Sequence, residues 1–389
     1  MLISRRSALK AAIAAPAGLW LAACADSDEG STAATSTSET TDSTAPPDTT
    51  GSDIVPAGFF MPAEEERHEA TWMCMPARRD VWGPDLPDVQ ATIAEIGLAI
   101  AEFEPVRMLV NPNDLDLAFD LVGNDIELIE APVDDLWARD TLPLFLVSED
   151  GQLAASRVRF NGWGGKQVHD GDTTLAGLVA DIVGVDLYDS GLVGEGGGLE
   201  VDGAGTILAA RSSWIIDNRN PGLDEATISD RLIDALGAER ILWVDGIAGE
   251  DITDGHIDTL ARFTDPATII HEFPSYVEPG ETWYDVAVDT ADTIAGFTTL
   301  DGAPYELVQL RQPENIRGSG DEFLASYVNY YVCNDAVIVP EFGDAQADGL
   351  AAEQIGARYP GHEVVALNID AVSAGGGGIH CATQQQPAI

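Results

Sequence analysis

Near its C-terminus the chain reads Gly375-Gly376-Gly377-Gly378-Ile379-His380-Cys381-Ala382-Thr383-Gln384-Gln385-Gln386-Pro387. Four glycines allow the backbone to approach another group closely, and the cysteine three residues on is a candidate nucleophile. A thiol reacts as thiolate, so Cys381 needs a proton partner elsewhere; without one it reads as a small buried residue. The partner candidate is Asp254-Gly255-His256-Ile257-Asp258. Read as a strand, its period of two places His256 and Asp258 on one face, either as a proton shuttle beside a cation-binding carboxylate or as metal ligands. His68, His169, His271, His362 and His380 show no ligand spacing and no Cys-x-x-Cys occurs, so no structural metal is expected.

Two further segments carry charge. Asp134-Asp135-Leu136-Trp137-Ala138-Arg139-Asp140 packs three carboxylates, an arginine and an indole together. By itself that is a solvated turn with local ion pairs; beside a cysteine and a His-x-Asp it can grip a cation between carboxylates and an aromatic face. Glu195-Gly196-Gly197-Gly198-Leu199-Glu200-Val201-Asp202-Gly203 reads as a Gly-rich hairpin turn with an acid at its start.

These segments need elements to hold them. Val106–Val110, Thr206–Ala210, Thr268–His271 and Ala336–Val339 are short apolar runs between turn formers, the mark of buried strands. Val89–Phe103, Leu223–Leu236 and Ala347–Arg358 carry apolar residues at helical spacing. The class is α/β, without the Gly-rich strand-to-helix turn of a dinucleotide or P-loop fold. No composition break divides 54–389, so one domain is expected there. Cys74 and Cys333 lie in apolar, strand-like segments and are expected to remain unpaired thiols.

The N-terminus is of another kind. Arg5-Arg6, a short apolar run and the ending Leu21-Ala22-Ala23-Cys24 give residues 1–23 the form of a twin-arginine export signal closed by a lipobox. Cys24 is the expected lipidation site. From Ala25 to Asp53, 14 of 29 residues are Ser or Thr and none is Leu, Ile, Val or aromatic, so 24–53 has nothing to bury and is expected to be a disordered tether. The protein is therefore expected outside the cell membrane, held by a lipid anchor, or soluble after export. The whole chain has 19 Lys+Arg against 66 Asp+Glu, a net charge of −47, which excludes a nucleic-acid partner bound through phosphates.

Taken in order, Glu69-x-Thr71-Trp72-Met73, Trp137-x-Arg139-Asp140, Gly196-Gly197-x-x-Glu200-Val201-Asp202-Gly203, Asp254–Asp258 and Gly375–Pro387 resemble the motifs of agmatine deiminases and bacterial peptidylarginine deiminases. The resemblance spans nearly all of 54–389. It implies a five-bladed pseudosymmetric α/β propeller, at roughly 67 residues per unit. It further implies Cys381 as nucleophile, His256 as general acid/base, and Asp140 and Asp258 as a guanidinium clamp. Trp137 would lie along the substrate's alkyl chain, with Glu200 and Arg139 also at the substrate and no metal or organic cofactor. The substrate would be a small guanidino compound, agmatine first, or an arginyl peptide; a non-catalytic guanidino-binding lipoprotein is the remaining alternative. The chain departs from the family pattern at Leu142, at Gly198 and at Ile252, which stands where agmatine deiminases carry an acid.

Overall fold

The computed structural model describes residues 55–320 and 322–389. The expected signal, Cys24 and the tether lie outside the described residues. Each helix expected from periodicity forms, with ends shifted by a few residues: Leu86–Ala101, Glu225–Leu236 and Ala345–Gly356. Glu225–Leu236 shows why. Asp224 accepts from the Thr227 amide at its start, and Gly237 closes it in the left-handed region, where an added Cβ would meet the Phe59 carbonyl at 1.9 Å.

The strands assemble, among the described residues, into five separate sheets that repeat one plan. A first strand pairs antiparallel with a second, and the second pairs parallel with a third. In one sheet Leu199–Val201, Thr206–Ala210 and Arg240–Val244 play these parts. Ala261–Asp265, Thr268–Phe273 and Glu306–Arg311 do so in the next. Tyr331–Cys333, Ala336–Glu341 and Glu363–Asn368 follow. Leu144–Ser148, Leu153–Arg159 and Leu187–Val193 form another, with Phe59–Phe60 added at its edge. In the fifth, the C-terminal strand Thr383–Pro387 is the first member, antiparallel to His68–Cys74, which runs parallel to Val106–Val110. The C-terminal strand thus pairs with the second strand of the described chain, with Trp72 Nε1 donating to Gln386 at 3.0 Å. All the described residues belong to one compact unit.

One sequence expectation fails here. His256 and Asp258 do not lie on a strand. Asp254 and Gly255 take positive φ of 62° and 84°, turning the chain sharply, and Ile257–Thr259 is a single 3-10 turn. The Asp-Gly pair is a turn signal, and it overrides the alternating pattern. Cys74 and Cys333 are free buried thiols on their strands.

Candidate active site

The candidate residues occupy one structural position repeated five times, just before the first strand of each sheet. Asp140 precedes Leu144–Ser148, Glu195 precedes Leu199–Val201, and His256 with Asp258 precedes Ala261–Asp265. Asn329 precedes Tyr331–Cys333 and Cys381 precedes Thr383–Pro387. Residues far apart in sequence are thereby brought to a common centre, Asn329 bonding Cys381 across 52 positions and His380 bonding Asp258 across 122.

At that centre Cys381 Sγ lies 3.4 Å from Asp258 Oδ2 and accepts from Asn329 Nδ2 at 3.1 Å. The Cys381 amide donates to Asn329 Oδ1 at 3.2 Å, so a single amide side chain fixes both ends of the cysteine. Asp140 accepts from Trp163 Nε1 at 2.9 Å and from the Gly197 amide at 3.0 Å. His256 Nδ1 lies 3.8 Å from Asp140 Oδ1, and its Nε2 is 3.3 Å from Glu195 Oε2. Asp258 Oδ2 is 2.8 Å from His380 Nδ1, while its Oδ1 is buried and has no hydrogen-bond partner among the described residues.

Gly197 lies within this group. A Cβ there would come within 2.7 Å of His256 Nδ1, 2.9 Å of Asp140 Oδ1 and 3.1 Å of Asp258 Oδ2. Only glycine leaves the two carboxylates and the imidazole facing one shared space. The terminal glycine run has an equally concrete cause: Cβ atoms at Gly375, Gly377 and Gly378 would strike Trp82 at 2.1 Å, Trp137 at 2.1 Å and Asn329 at 2.6 Å. Those glycines make room for the two indoles and for the Asn329 amide that holds Cys381.

The electrostatics are unbalanced. Among the described residues neither Asp140 nor Asp258 forms an ion pair with Arg or Lys. Burial pushes Asp140 above its ordinary value, with Glu195 and Asp258 adding to the push against His256. Burial acts on Asp258 in the same direction, but the His380 hydrogen bond and the neighbouring histidines hold it below its ordinary value. Burial drives the Cys381 thiol well up, and the Asp258 and Asp140 carboxylates add to it. For His256, burial opposes the charge, yet Asp140, Glu195 and Asp258 together raise its pKa to about 9. The arrangement is an imidazole and a thiol, both with raised pKa, facing carboxylates of which Asp140 and Asp258 have no arginine or lysine partner.

Not every expected residue is placed at this centre. Arg139 is buried and spent elsewhere, on Glu64 at 3.0 Å and Gln385 at 2.8 Å. Glu200 pairs with Arg262 at 2.9 Å and reaches His380 Nε2 only at 3.5 Å, so it sits behind Asp258. The acid beside His256 is Glu195, at the start of the Gly-rich turn. Asn329, Trp163 and His380 are further residues that sequence reasoning passed over. Two of them carried a signal: His380 stands beside Cys381 in the C-terminal motif, and Trp163, in Gly-Trp-Gly-Gly, adopts φ 54°. The Gly198 departure has a packing reason, since a Cβ would lie 2.8 Å from Trp214 Nε1. Among the described residues no group of three or more His, Cys, Asp or Glu is placed to hold a metal ion.

Comparison with known proteins agrees with this geometry. A family model described as Porphyromonas-type peptidyl-arginine deiminase matches residues 60–387. A Legionella pneumophila protein, provisionally named an agmatine deiminase, is 37% identical over 343 residues, covering 85% of this chain and 96% of its own. The solved agmatine deiminase of Enterococcus faecalis superposes with TM-score 0.80 at 31% identity, over 86% of this chain and 99% of its own. A Porphyromonas gingivalis structure, provisionally described as an arginine deiminase, gives TM-score 0.76 at 31% identity over 85% and 98%. The chain belongs to the Porphyromonas-type peptidyl-arginine deiminase family.

Proposed function

We propose that the protein hydrolyses agmatine to N-carbamoylputrescine and ammonia through a covalent intermediate on Cys381. The observation that carries this is the space over Gly197, bounded by two buried carboxylates without an arginine or lysine partner and by an imidazole. A guanidinium is planar and cationic, and paired carboxylates accept its N–H donors and fix its central carbon. Burial, with the two carboxylates adding to it, holds the thiol pKa up, and the guanidinium charge works against the carboxylate part, so substrate binding itself favours the thiolate. Cys381 Sγ then bonds to the guanidino carbon. The C–N bond to a terminal nitrogen breaks as His256 gives that nitrogen its proton, and ammonia leaves. His256 next takes a proton from water; the resulting hydroxide adds to the amidino carbon, the C–S bond breaks, and the ureido product departs. The Cys381 thiol proton leaves to solvent as the guanidinium binds, and the proton lost when the added hydroxyl becomes the ureido carbonyl returns to the thiolate, so His256 and Cys381 both end as they began. Trp137, seated on Gly377, is suited to lie along the alkyl chain.

An arginine residue in a peptide is the second reading. Ile252 supports it, since that apolar residue stands where an acid would take agmatine's free amine, and its carbonyl accepts from Lys166 Nζ at 2.9 Å. Purified enzyme incubated with agmatine, arginine and an arginyl peptide separates the readings by ammonia and ureido product. Faster turnover of the peptide by kcat/KM would displace agmatine.

The repeated sheet plan, with one segment of each sheet at the centre, supports a five-bladed pseudosymmetric propeller. The Arg5-Arg6 and Leu21–Cys24 pattern supports export and lipid anchoring at Cys24, with 24–53 as tether. Cys24→Ser should move the enzyme from the membrane fraction to the medium with unchanged kcat.

A further inference from the structure

Behind His256 runs a chain of buried charges that the reaction scheme does not use. Arg219 has no exposed side-chain surface. Its Nε donates to both oxygens of Glu195, at 2.8 and 3.1 Å, and Glu195 in turn faces the His256 ring. Its Nη1 donates to Asp254 Oδ2 at 3.0 Å and its Nη2 to the Thr253 carbonyl at 3.2 Å. Arg219 therefore reaches His256 twice, through the carboxylate beside the ring and through the turn that carries its backbone. The His256 amide closes the second route by donating to Thr253 Oγ1 at 3.1 Å.

That turn is costly by itself. Asp254 is one of three non-glycine residues with positive φ among those described. Its carboxylate is held there by Arg219, by Lys166 Nζ at 2.8 Å, by Asn218 Nδ2 at 3.0 Å and by the Gly249 amide at 2.9 Å. The support also touches the clamp. A Cβ on Gly164 would lie 2.7 Å from Arg219 Nη1, and its neighbour Trp163 donates to Asp140.

We propose that Arg219, with Asp254 and Lys166 behind it, is a positioning residue that holds Glu195 and the 253–254 turn so that His256 can serve as both acid and base, an inference that rests on the deiminase reading of the site. The physical need is specific. Three carboxylates face the ring: Asp140, Glu195 and Asp258, the last also bonded to the Cys381 thiol and to His380. A guanidinium between Asp140 and Asp258 brings its positive charge to those two and does not reach Glu195. An uncompensated Glu195 would bind the imidazolium too well for it to release its proton to the leaving nitrogen. Arg219 offsets that third charge from the far side, where it cannot compete for substrate. Arginine suits the place because its rigid fork spans the carboxylate and the turn at once, which an ammonium cannot do.

The test is carried out on Arg219→Gln, Arg219→Lys and Lys166→Met enzymes. His256 is titrated by NMR in histidine-labelled protein, its resonance identified by its loss in His256→Asn. In Arg219→Gln the His256 midpoint should rise by about one unit, as expected when a nearby cation is removed. The value of kcat should fall on the order of 100-fold with KM changed less than threefold. Arg219→Lys should restore the midpoint but only part of kcat. Should Arg219→Gln not fold, Lys166→Met removes the half-exposed far end of the chain and should raise the midpoint by less, in the same direction. An unchanged midpoint in the folded variants, or a loss expressed only in KM, overturns the assignment. If the wild-type enzyme turns over no guanidino compound, the deiminase reading fails, while the midpoints still decide the part played by Arg219.

Discussion

Two buried charged clusters lie side by side near the centre of this protein, and they are built on opposite principles. In one, Glu64 meets Arg139 at 3.0 Å, Arg262 at 2.9 Å and His380 at 3.1 Å, while Arg262 also takes Glu200 and lies 4.5 Å over the Tyr330 ring. Burial alone would raise Glu64, but Arg262, His380 and Arg139 hold it well below its ordinary value. In the other, Asp140, Glu195 and Asp258 crowd His256, and Asp140 and Asp258 meet no arginine or lysine. The first is satisfied without help from outside and fixes the sheets in place. The second is completed only by an added cation, which is why it reads as a site rather than as structure. His380 joins them, with one ring nitrogen toward each.

The largest test of that distinction is Cys381→Ala. Turnover should be lost to below a few per cent, while melting temperature and guanidinium binding stay close to wild type, because the thiol supplies a bond and not packing. Retained turnover would remove the covalent route altogether. Next come Asp140→Asn and Asp258→Asn, each of which should lower kcat/KM by roughly three orders of magnitude, as losing a charge-assisted contact at the reacting carbon does. Near-normal kinetics in either would mean that the guanidinium is held elsewhere.

How much of this was legible beforehand follows the range of the interactions. Thr206–Ala210 and Val106–Val110 were read to the residue, because an apolar run between turn formers is a local property. Cys381, His256, Asp140 and Asp258 were read from motifs, and the structure brings these four side chains together. Glu195 was not singled out, since its meaning depends on His256, 61 residues away. Asn329 sits among aromatic and apolar residues with nothing to mark it, and its role exists only once Cys381 is folded against it. Arg139 and Glu200 were assigned to the substrate through the family resemblance, but buried charges seek partners, and each has one in the balanced cluster.

That balanced cluster should answer differently to mutation. Arg262→Met leaves Glu64 and Glu200 short of a cation in a buried setting, which costs about 3–5 kcal/mol. In a chain this long that lowers the melting temperature by about 4–7 °C. A thermal scan showing less than one degree would place Arg262 among dispensable pairs and dissolve the contrast drawn above. Cys381→Ala, run alongside, is the control that should lose activity without losing stability.

The smallest effect is the most discriminating, because it separates the two carboxylates of the clamp from each other. Asp140 titrates above its ordinary value of 3.8 in the folded protein, so its ionisation works against folding. At this one group the folded state binds more protons than the unfolded one above about pH 4, so Asp140 contributes a loss of stability as pH rises from there. Asp140→Asn lacks that loss, so its melting temperature relative to wild type should climb by about a degree or more between pH 4 and 7. The slope is the readout, because losing the hydrogen bond from Trp163 or from Gly197 adds an offset that does not depend on pH. Asp258 is depressed below 3.8 by its contact with His380, so its ionised form stabilises the fold and is fully formed by about pH 5. Asp258→Asn should accordingly sit below wild type by a constant amount from there upward. Two parallel flat lines would mean that Asp140 has a partner of its own and that the site is as balanced as the cluster behind it.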